Sequence, residues 1–185
     1  MFILASASPR RKDILKAAGY SFEIIPSDKE QLPVKGVSPE KLAVRNACLK
    51  AEDVFKRIDD PNSVVLGADT VVALSGNIYG KPSDEDDARR ILNALSGRTH
   101  QVITGYCLIS GNMMESGSVV TDVAFNILND DQIEAYIKSG LFVGKAGAYG
   151  IQDGFGLIKG FNGYYDNVVG LPLEAIEESL KEFLK

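Results

Sequence analysis

The sequence predicts a mixed α/β fold in a single domain over residues 1–185. Apolar, β-branched runs typical of buried strands alternate with amphipathic segments that begin at a capping residue and end at glycine. Two long strand-like runs also follow each other directly, which favours antiparallel pairing in part of the sheet. With 185 residues, of which 45% are apolar, the chain can bury a core without disulfide bonds. We therefore expect a mixed sheet flanked by helices.

The first half of the chain contains the predicted N-terminal strands and two helices. Strand composition is found at residues 2–6, 21–26, 63–74 and around Ile78, with a turn at 75–77. Both helices begin at a Ser-Pro pair, because serine is a good N-cap and proline is favoured at the first helical position. One is expected from Ser8-Pro9 to Ala18, and the other begins at Ser38-Pro39.

The second half contains three predicted helices and two long strands. The helices are expected to begin at Ser83 with Asp86 completing the cap, at Asn129, and at Pro172. The strands are predicted at 101–110 and 114–128, joined by a turn at Gly111-Asn112. The segment from Gly144 to Gly160 is dense in glycine, which indicates tight turns or a wrap around a ligand.

Charge and composition exclude several classes of protein. The net charge of −5 opposes general affinity for nucleic acid, which needs an excess of lysine and arginine. No apolar run approaches the roughly 18 residues of a membrane span, and the apolar N-terminal stretch is too short for a signal peptide. Cys48 and Cys107 lie outside any CxxC spacing, so disulfides and structural zinc are not expected. These features predict a cytoplasmic protein without nucleic-acid or membrane partners.

The segment SASPRR, residues 6–11, combines a helix N-terminus with two arginines. Free backbone N–H groups and the positive end of the helix dipole suit a phosphate. Arg10 and Arg11 lie in the first turn, where a cation is disfavoured by about 0.3–1 kcal/mol. A bound polyanion would make these two cations favourable, since one guanidinium group can bind two phosphate oxygens at once. The segment therefore predicts either an anion site or two solvated surface arginines.

Asp69 lies inside the apolar run GADTVV, residues 67–72. A carboxylate there must be paired, bound to a metal or exposed at a strand end. Burying it without a partner would cost on the order of several kcal/mol. The structural alternative is an aspartate that caps a turn or pairs with a core arginine. The chemical interpretation is a functional carboxylate.

Three lysines extend the same hypothesis. Lys50 lies near the edge of an alanine-rich helical stripe, Lys81 follows Gly80, and Lys145 lies in the glycine-dense segment. Each alone is typical of a surface lysine, whereas together they would surround an anion. No GxxxxGK[ST] loop occurs, and the only histidine, His100, is interpreted as a satisfied polar residue at a strand start. The remaining chemistry is a cationic cradle with carboxylates, where Mg²⁺ is held by one or two acids and substrate phosphates.

Four blocks together resemble the Maf family of nucleotide pyrophosphatases over nearly the whole chain. They are ASASPRR at 5–11, GADTVV at 67–72 with GKP at 80–82, LSGRTHQVITG at 95–105, and KAGAYGIQ at 145–152 with NVVGLPL at 167–173. The resemblance implies an inosine-triphosphatase-like α/β fold with two lobes around a cleft, often in a homodimer. It also implies Mg²⁺- or Mn²⁺-dependent hydrolysis of nucleoside triphosphates to a monophosphate and pyrophosphate.

The resemblance also implies roles for individual residues. The triphosphate would be held by Ser8, Arg10, Arg11, Lys50 and Lys81. Asp69 would be the catalytic residue, either orienting and deprotonating water or binding the metal, for which Glu30 is a second candidate ligand. The specificity positions of the branch acting on dTTP, UTP and modified pyrimidine nucleotides are matched by Arg10, Thr70 and Gln152.

Two departures from the family pattern and two rival functions stay open at this stage. The family glutamate aligns with Gln31, one position after Glu30, and Gly144 stands where an acid commonly precedes the KAGAYG lysine. The departure at Gln31 leaves the second metal ligand open between Glu30 and Gln31. The departure at Gly144 leaves open which contacts hold the glycine-dense loop in place. The rival functions are the sister branch acting on 7-methyl-GTP and a non-catalytic regulator of cell division and septum formation.

Overall fold

The computed structural model describes residues 1–34 and 36–185, and within them seven strands form one mixed sheet. The strands are β1 (Phe2–Leu4), β2 (Glu23–Ile24), β3 (Val64–Leu74), β4 (Asn77–Tyr79), β5 (Thr99–Ser110), β6 (Met113–Phe125) and β7 (Ile158–Asn162). The helices are α1 (Pro9–Ala17), α2 (Pro39–Ile58), α3 (Glu85–Leu95), α4 (Asp130–Lys138), α5 (Tyr165–Val169) and α6 (Leu173–Phe183), with a 3-10 turn at Ala146–Ala148. The predicted α/β class, a mixed sheet flanked by helices, is confirmed.

The order of the strands leaves an opening beside the centre of β3. The sheet runs β2-β1-β3-β5-β6-β7, with β4 attached to β3. The edge of β3 that faces away from β5 is paired at its two ends only: β1 pairs with Val64–Leu66 of β3, and β4 pairs with Val72–Leu74. Between them the described residues provide no strand partner, and Asp69 and Thr70 lie in this gap. Successive side chains of a strand point to opposite faces, so the gap lets both faces of β3 reach one cleft.

Two glycines allow helix α2 to lie unusually close to the sheet. A Cβ atom at Gly67 would stand 2.2 Å from the Ala47 carbonyl oxygen, and one at Gly105 would stand 2.2 Å from the Ala43 carbonyl carbon. Neither position therefore tolerates a side chain without moving the helix. This close contact between the alanine stripe and the sheet brings the polar edge of α2 up to Asp69.

The predicted helix starts are confirmed with one correction. The Ser38 side chain caps α2, and Asn129 caps α4 in a reciprocal capping box with Gln132. At α3 the prediction of Ser83 is wrong: Asp84 is the N-cap, and its carboxylate accepts the Asp87 N–H at 2.8 Å. A carboxylate one residue later supplies the stronger acceptor for the free N–H groups of the first turn.

The predicted strands need two corrections of length, and two further elements were not predicted. The segment 21–26 forms only the short strand β2. Strand β6 ends at Phe125 rather than at residue 128, because Asn126 donates its N–H to Leu157 and Leu128 donates to Ser96 Oγ at 2.8 Å. Strand β7 and helix α5 were not predicted, since their sequences lack a strong apolar period. No helix in 1–34 and 36–185 is long and apolar enough to cross a membrane.

Candidate active site

A cleft of about 560 Å³ opens where β1 ends beside β3. This volume lies in the range of small-molecule sites, roughly 300–1,000 Å³. One wall comes from the segment that follows β1 (residues 6–8), the start of α1, and Lys50 of α2, and the other comes from the segment 143–152. The cleft is lined by every residue that the sequence singled out for the site, namely Ser8, Arg10, Arg11, Glu30, Lys50, Asp69, Thr70, Lys81 and Gln152.

Asp69 is the most buried carboxylate of the cleft and is held from helix α2. Its side chain is 12% exposed, and its Oδ1 accepts from Lys50 Nζ at 2.5 Å. Its Oδ2 accepts from Asn46 Nδ2 at 3.2 Å. The ammonium offsets the cost of burying the charge, and the amide fixes the carboxylate plane. Asp69 is therefore a charged, oriented acceptor at the floor of the cleft.

Glu30 and Gln31 differ in their contacts with Asn46 and Lys50. Glu30 Oε2 lies 3.3 Å from Lys50 Nζ, so its carboxylate faces the same cation as Asp69. Gln31 instead uses its backbone: its N–H donates to Asn46 Oδ1 at 2.7 Å, and its carbonyl accepts from Asn46 Nδ2 at 3.2 Å. Asn46, which sequence analysis did not single out, thus ties the loop carrying Glu30 to the carboxylate of Asp69.

Arg11 is a buried bridge between three parts of the cleft, which excludes the interpretation of a solvated arginine. Its guanidinium donates to the Gly170 carbonyl at 2.7 Å, to Ser6 Oγ at 2.9 Å and to Thr70 Oγ1 at 3.1 Å. Burial lowers the pKa of Arg11 to about 10, still well above neutral pH, so the group stays charged. The sequence pattern does not reveal these partners, because two of them are distant along the chain.

The remaining cationic and polar groups of this wall are more open. Arg10 is half-buried and donates to the Gly144 carbonyl at 3.1 Å, which joins the two walls of the cleft. Burial lowers the pKa of Arg10, and the nearby charge of Asp153 opposes that shift. Lys81 is exposed at the rim. Ser8 makes no side-chain capping bond within the described residues, so its hydroxyl is available at the helix start.

The Thr70 hydroxyl is already hydrogen-bonded to neighbouring side chains. Its hydroxyl accepts from Arg11 and lies 2.9 Å from Thr104 Oγ1, which in turn donates to the Asn167 carbonyl at 3.1 Å. This chain of hydrogen bonds connects β3, β5 and α5 behind the cleft. Thr70 therefore acts on the cleft at least partly by orienting the Arg11 guanidinium.

Lys145 has a partner that the sequence did not indicate. Its Nζ lies 2.7 and 2.5 Å from the two carboxylate oxygens of Asp153, and Tyr136 donates its hydroxyl to Asp153 Oδ2 at 2.5 Å. The expectation that Lys145 joins Lys50 and Lys81 around an anion is therefore incomplete, because an internal ion pair already occupies its ammonium. The glycine-dense segment therefore forms a loop on the cleft wall that is held by this ion pair and by the hydrogen bond from Tyr136.

His100 supports the cleft wall from inside the core. It is 1% exposed, its Nε2 lies 2.7 Å from the Tyr149 hydroxyl, and its ring meets Phe125 and Tyr149 edge to face. Its Nδ1 has no hydrogen-bond partner in 1–34 and 36–185, so the expected polar residue is only half satisfied. Burial lowers the pKa of His100 to about 4, which keeps the ring neutral at pH 7.

We expect this histidine to make stability fall in mild acid. Because the folded pKa lies near 4 and the unfolded value near 6.5, stability is present above pH 6.5 and decreases as pH falls toward 4. A shift of this size corresponds to roughly 3 kcal/mol of unfolding free energy. The Tm should fall less between pH 7 and pH 4 in His100→Gln than in the wild type. Parallel acid profiles of the two proteins would contradict this role.

The charges of the cleft favour an anionic ligand accompanied by a cation. Its lining includes the five cations Arg10, Arg11, Lys50, Lys81 and Lys145 and the three carboxylates Asp28, Glu30 and Asp69. No cluster of three or more His, Cys, Asp or Glu residues suited to a metal occurs in the described part of the chain. Glu30 and Asp69 nevertheless meet at one ammonium, and two carboxylates with phosphate oxygens suffice for Mg²⁺. The residues present therefore fit a divalent ion that arrives with a phosphorylated ligand.

The chain is similar to known proteins over nearly its whole length. The profile of a family described as Maf-like protein matches residues 1–183. A dTTP/UTP pyrophosphatase of Thermococcus gammatolerans is 48% identical over 177 residues, covering 95% of this chain and 93% of that protein. A dTTP/UTP pyrophosphatase of Phocaeicola vulgatus is 42% identical over 184 residues, covering 97% and 94%.

Two solved structures are more distantly similar. The Staphylococcus aureus Ham1 protein matches with a TM-score of 0.46 at 21% identity, over 69% of this chain and 71% of that one. A nucleoside-triphosphatase, or dITP/XTP pyrophosphatase, of Mycobacterium abscessus matches with a TM-score of 0.47 at 15% identity, over 97% and 94%.

Proposed function

The chain belongs to the Maf family, and on that premise we propose that it hydrolyses nucleoside triphosphates, dTTP and UTP among them, to a monophosphate and pyrophosphate. The observation that carries the proposal is the buried Asp69, held by Lys50 and Asn46 at the floor of a cleft lined by five cations. A deep carboxylate among phosphate-binding groups is what in-line attack of water on a phosphate requires.

The residues of the cleft have different roles in the proposed reaction. Asp69 orients the attacking water and accepts its proton, since its oxygens are already fixed by two donors. Arg10, Arg11 and Lys81 neutralise charge that develops on the phosphate oxygens, and Ser8 donates from the helix start. Held by Asp69, Glu30 and phosphate oxygens, Mg²⁺ or Mn²⁺ would supply further stabilisation of that charge. Attack at the α-phosphorus then releases pyrophosphate.

The base would lie on the wall formed by the segment 143–152. Tyr149, Val72 and Val102 give this part of the cleft an apolar surface. Gln152 is exposed at its edge, and an amide has both the donor and the acceptor that a uracil or thymine edge needs. Arg10 reaches the same wall through Gly144. Thr70 contributes through Arg11, to which it is hydrogen-bonded.

The proposal is tested by product identity. With Mg²⁺ or Mn²⁺ present, UTP should yield UMP and pyrophosphate, and dTTP should yield dTMP and pyrophosphate. Chromatography of the nucleotide, with a separate assay of pyrophosphate, measures both products. UDP with orthophosphate would show that the wrong bond has been assigned, and the absence of turnover on a full nucleotide panel would favour the non-catalytic regulator.

Gln152 tests the base preference. Gln152→Ala should lower kcat/KM for UTP and dTTP by about 10-fold or more, because a hydrogen-bonded pair to the base edge is lost. Its Tm should stay within about 1 °C of the wild type, since exposed side chains contribute little to stability. Gln101→Ala, at an exposed position outside the cleft, is the matched control. A wild type that prefers 7-methyl-GTP would instead place the chain in the sister branch.

The compartment, oligomeric state and partners of the enzyme are part of the same proposal. We place it in the cytoplasm as a homodimer with neither nucleic-acid nor membrane partners. The net charge of −5 and the two free thiols, Cys48 and Cys107, support the compartment and the lack of a nucleic-acid partner. The homodimer rests on the family resemblance, and light scattering of the purified protein measures it directly.

A further inference from the structure

The glycine-dense loop carries an acid whose place in the reaction is not accounted for by the phosphate-binding residues. We propose that Asp153 is a positioning residue that sets the base-reading wall of the cleft, through Lys145 and Tyr136. The inference rests on the proposed function, because it concerns how that site recognises its nucleotide. It adds a determinant of affinity and base preference outside the residues that contact the phosphates.

Asp153 is held by four hydrogen bonds and is almost fully enclosed. Its side chain is 5% exposed, and Lys145 Nζ reaches both of its oxygens. Tyr136, a fully buried residue of α4, donates its hydroxyl to Oδ2, and the Gly150 N–H donates to the same oxygen at 2.9 Å. A carboxylate with this many charge-assisted bonds is a rigid anchor. It joins Lys145 and Gly150 of the loop to Tyr136 in the core.

The loop needs such an anchor because it holds one residue with a side chain in a disfavoured backbone conformation. Gly144 and Gly147 have positive φ, which glycine adopts freely, whereas Ala148 stands at +62°. The left-handed region costs a residue with a side chain roughly 1–2 kcal/mol. A Cβ at Gly147 would stand 2.8 Å from a methyl group of Val72, so the loop also lies directly on β3. Contacts elsewhere must offset this strain, and those of Asp153 do so.

Asp153 also compensates for the missing acid before the KAGAYG lysine. Gly144 occupies that position and offers only its carbonyl, which accepts from Arg10. The charge that Lys145 requires comes from Asp153, eight residues later, and the same carboxylate acts electrostatically on Arg10. Lys145, a cation of the cleft lining, is thus held by an anion that does not itself line the cavity.

The consequence of the anchor falls on the base and not on the reacting phosphate. Gln152 precedes Asp153 directly, and its amide nitrogen lies over Gly150, where an added Cβ would approach it to 2.8 Å. Asp69 and Lys50, by contrast, are held from α2 and do not depend on this loop. Loosening Asp153 should therefore displace the adjoining Gln152 while leaving the catalytic carboxylate in place.

The test compares Asp153→Asn and Tyr136→Phe with Tyr20→Phe, whose hydroxyl has no partner in the described residues. Calorimetry measures the Kd of α,β-imido-UTP, and steady-state assays give kcat, KM and the ratio of kcat/KM for UTP over GTP. We expect Asp153→Asn to raise Kd and KM about 10-fold or more, lower the ratio, and change kcat less than about 3-fold. Tyr136→Phe should act in the same direction, and Tyr20→Phe should match the wild type.

Each result decides between the two claims. A lower Tm with unchanged Kd and unchanged UTP preference would overturn the positioning role, and Tyr136→Phe gives that answer alone if Asp153→Asn does not fold. A fall in kcat with constant KM would also overturn it. A wild type that binds α,β-imido-UTP but hydrolyses no nucleotide contradicts only the proposed function, and the Kd comparison still tests Asp153. A wild type that does not bind the analogue contradicts both.

Discussion

Asp69→Asn is expected to lower kcat for UTP by about 10²-fold or more, the contribution typical of a positioned general base. The amide keeps the shape of the side chain but cannot accept the proton of the attacking water. Binding of α,β-imido-UTP measured without a divalent metal should change much less, because the phosphate-binding cations stay in place. Steady-state kinetics measure the effect, and Asp131→Asn, an exposed acid on α4, is the matched control.

The same variant should lose some stability. The lower cost of burying a neutral amide than a charge would by itself favour the variant. The contacts change that expectation: Asp69 is the closest partner of the Lys50 ammonium, which would keep only Glu30 at 3.3 Å. We expect a loss of about 1–3 kcal/mol in unfolding free energy, the range for removing one partner of a buried bond. Near-wild-type turnover, or failure to fold, would remove Asp69 from the centre of the mechanism.

Arg11→Ala is expected to reduce both activity and stability strongly. The guanidinium bridges Ser6, Thr70 and Gly170 from a position that is 8% exposed. Its removal leaves these acceptors without their donor, at a cost of about 2–4 kcal/mol, and lets the start of α1 separate from β3. Arg11→Lys should rescue little, because an ammonium cannot span the fork of acceptors. Chemical denaturation and kcat/KM measure the two losses.

Arg10→Ala is the informative comparison for Arg11. Arg10 is half-buried with one bond, to Gly144, so its removal should lower activity by about 10-fold or more and change the Tm by only a few degrees. Position in the first helical turn would alone give this pattern for both arginines, because each opposes the helix dipole. The structure supports it for Arg10 alone. Equal stability of the two alanine variants would contradict the bridging role of Arg11.

The features that could be predicted are those encoded locally. Ser38 and Asn129 cap the helices that they were expected to begin, because capping depends on a few neighbouring residues. The strand around Asp69 was evident from its apolar run, and a charge within it signalled the site. The motif residues also line one cleft as expected, since each lies at the end of an element or in the gap beside β3.

The features that could not be predicted depend on contacts between distant segments. Asp153 looks like an ordinary loop acid until the fold brings Tyr136 and Lys145 to it. Asn46 sits within a helix pattern that gives no sign of its bonds to Gln31 and Asp69. The burial of Arg11 follows from where α5 returns to the sheet, and α5 itself had no clear sequence signal.

We propose that the cleft around Asp69 directs water to the α-phosphorus of a nucleoside triphosphate. Hydrolysis of UTP in ¹⁸O-labelled water, with mass spectrometry of both products, reports the phosphorus atom that water attacks. Attack at the α-phosphorus places the label in UMP and leaves pyrophosphate without it. Label in pyrophosphate would mean attack at the β-phosphorus, and label in orthophosphate would mean a different bond altogether; either result would overturn the proposed attack.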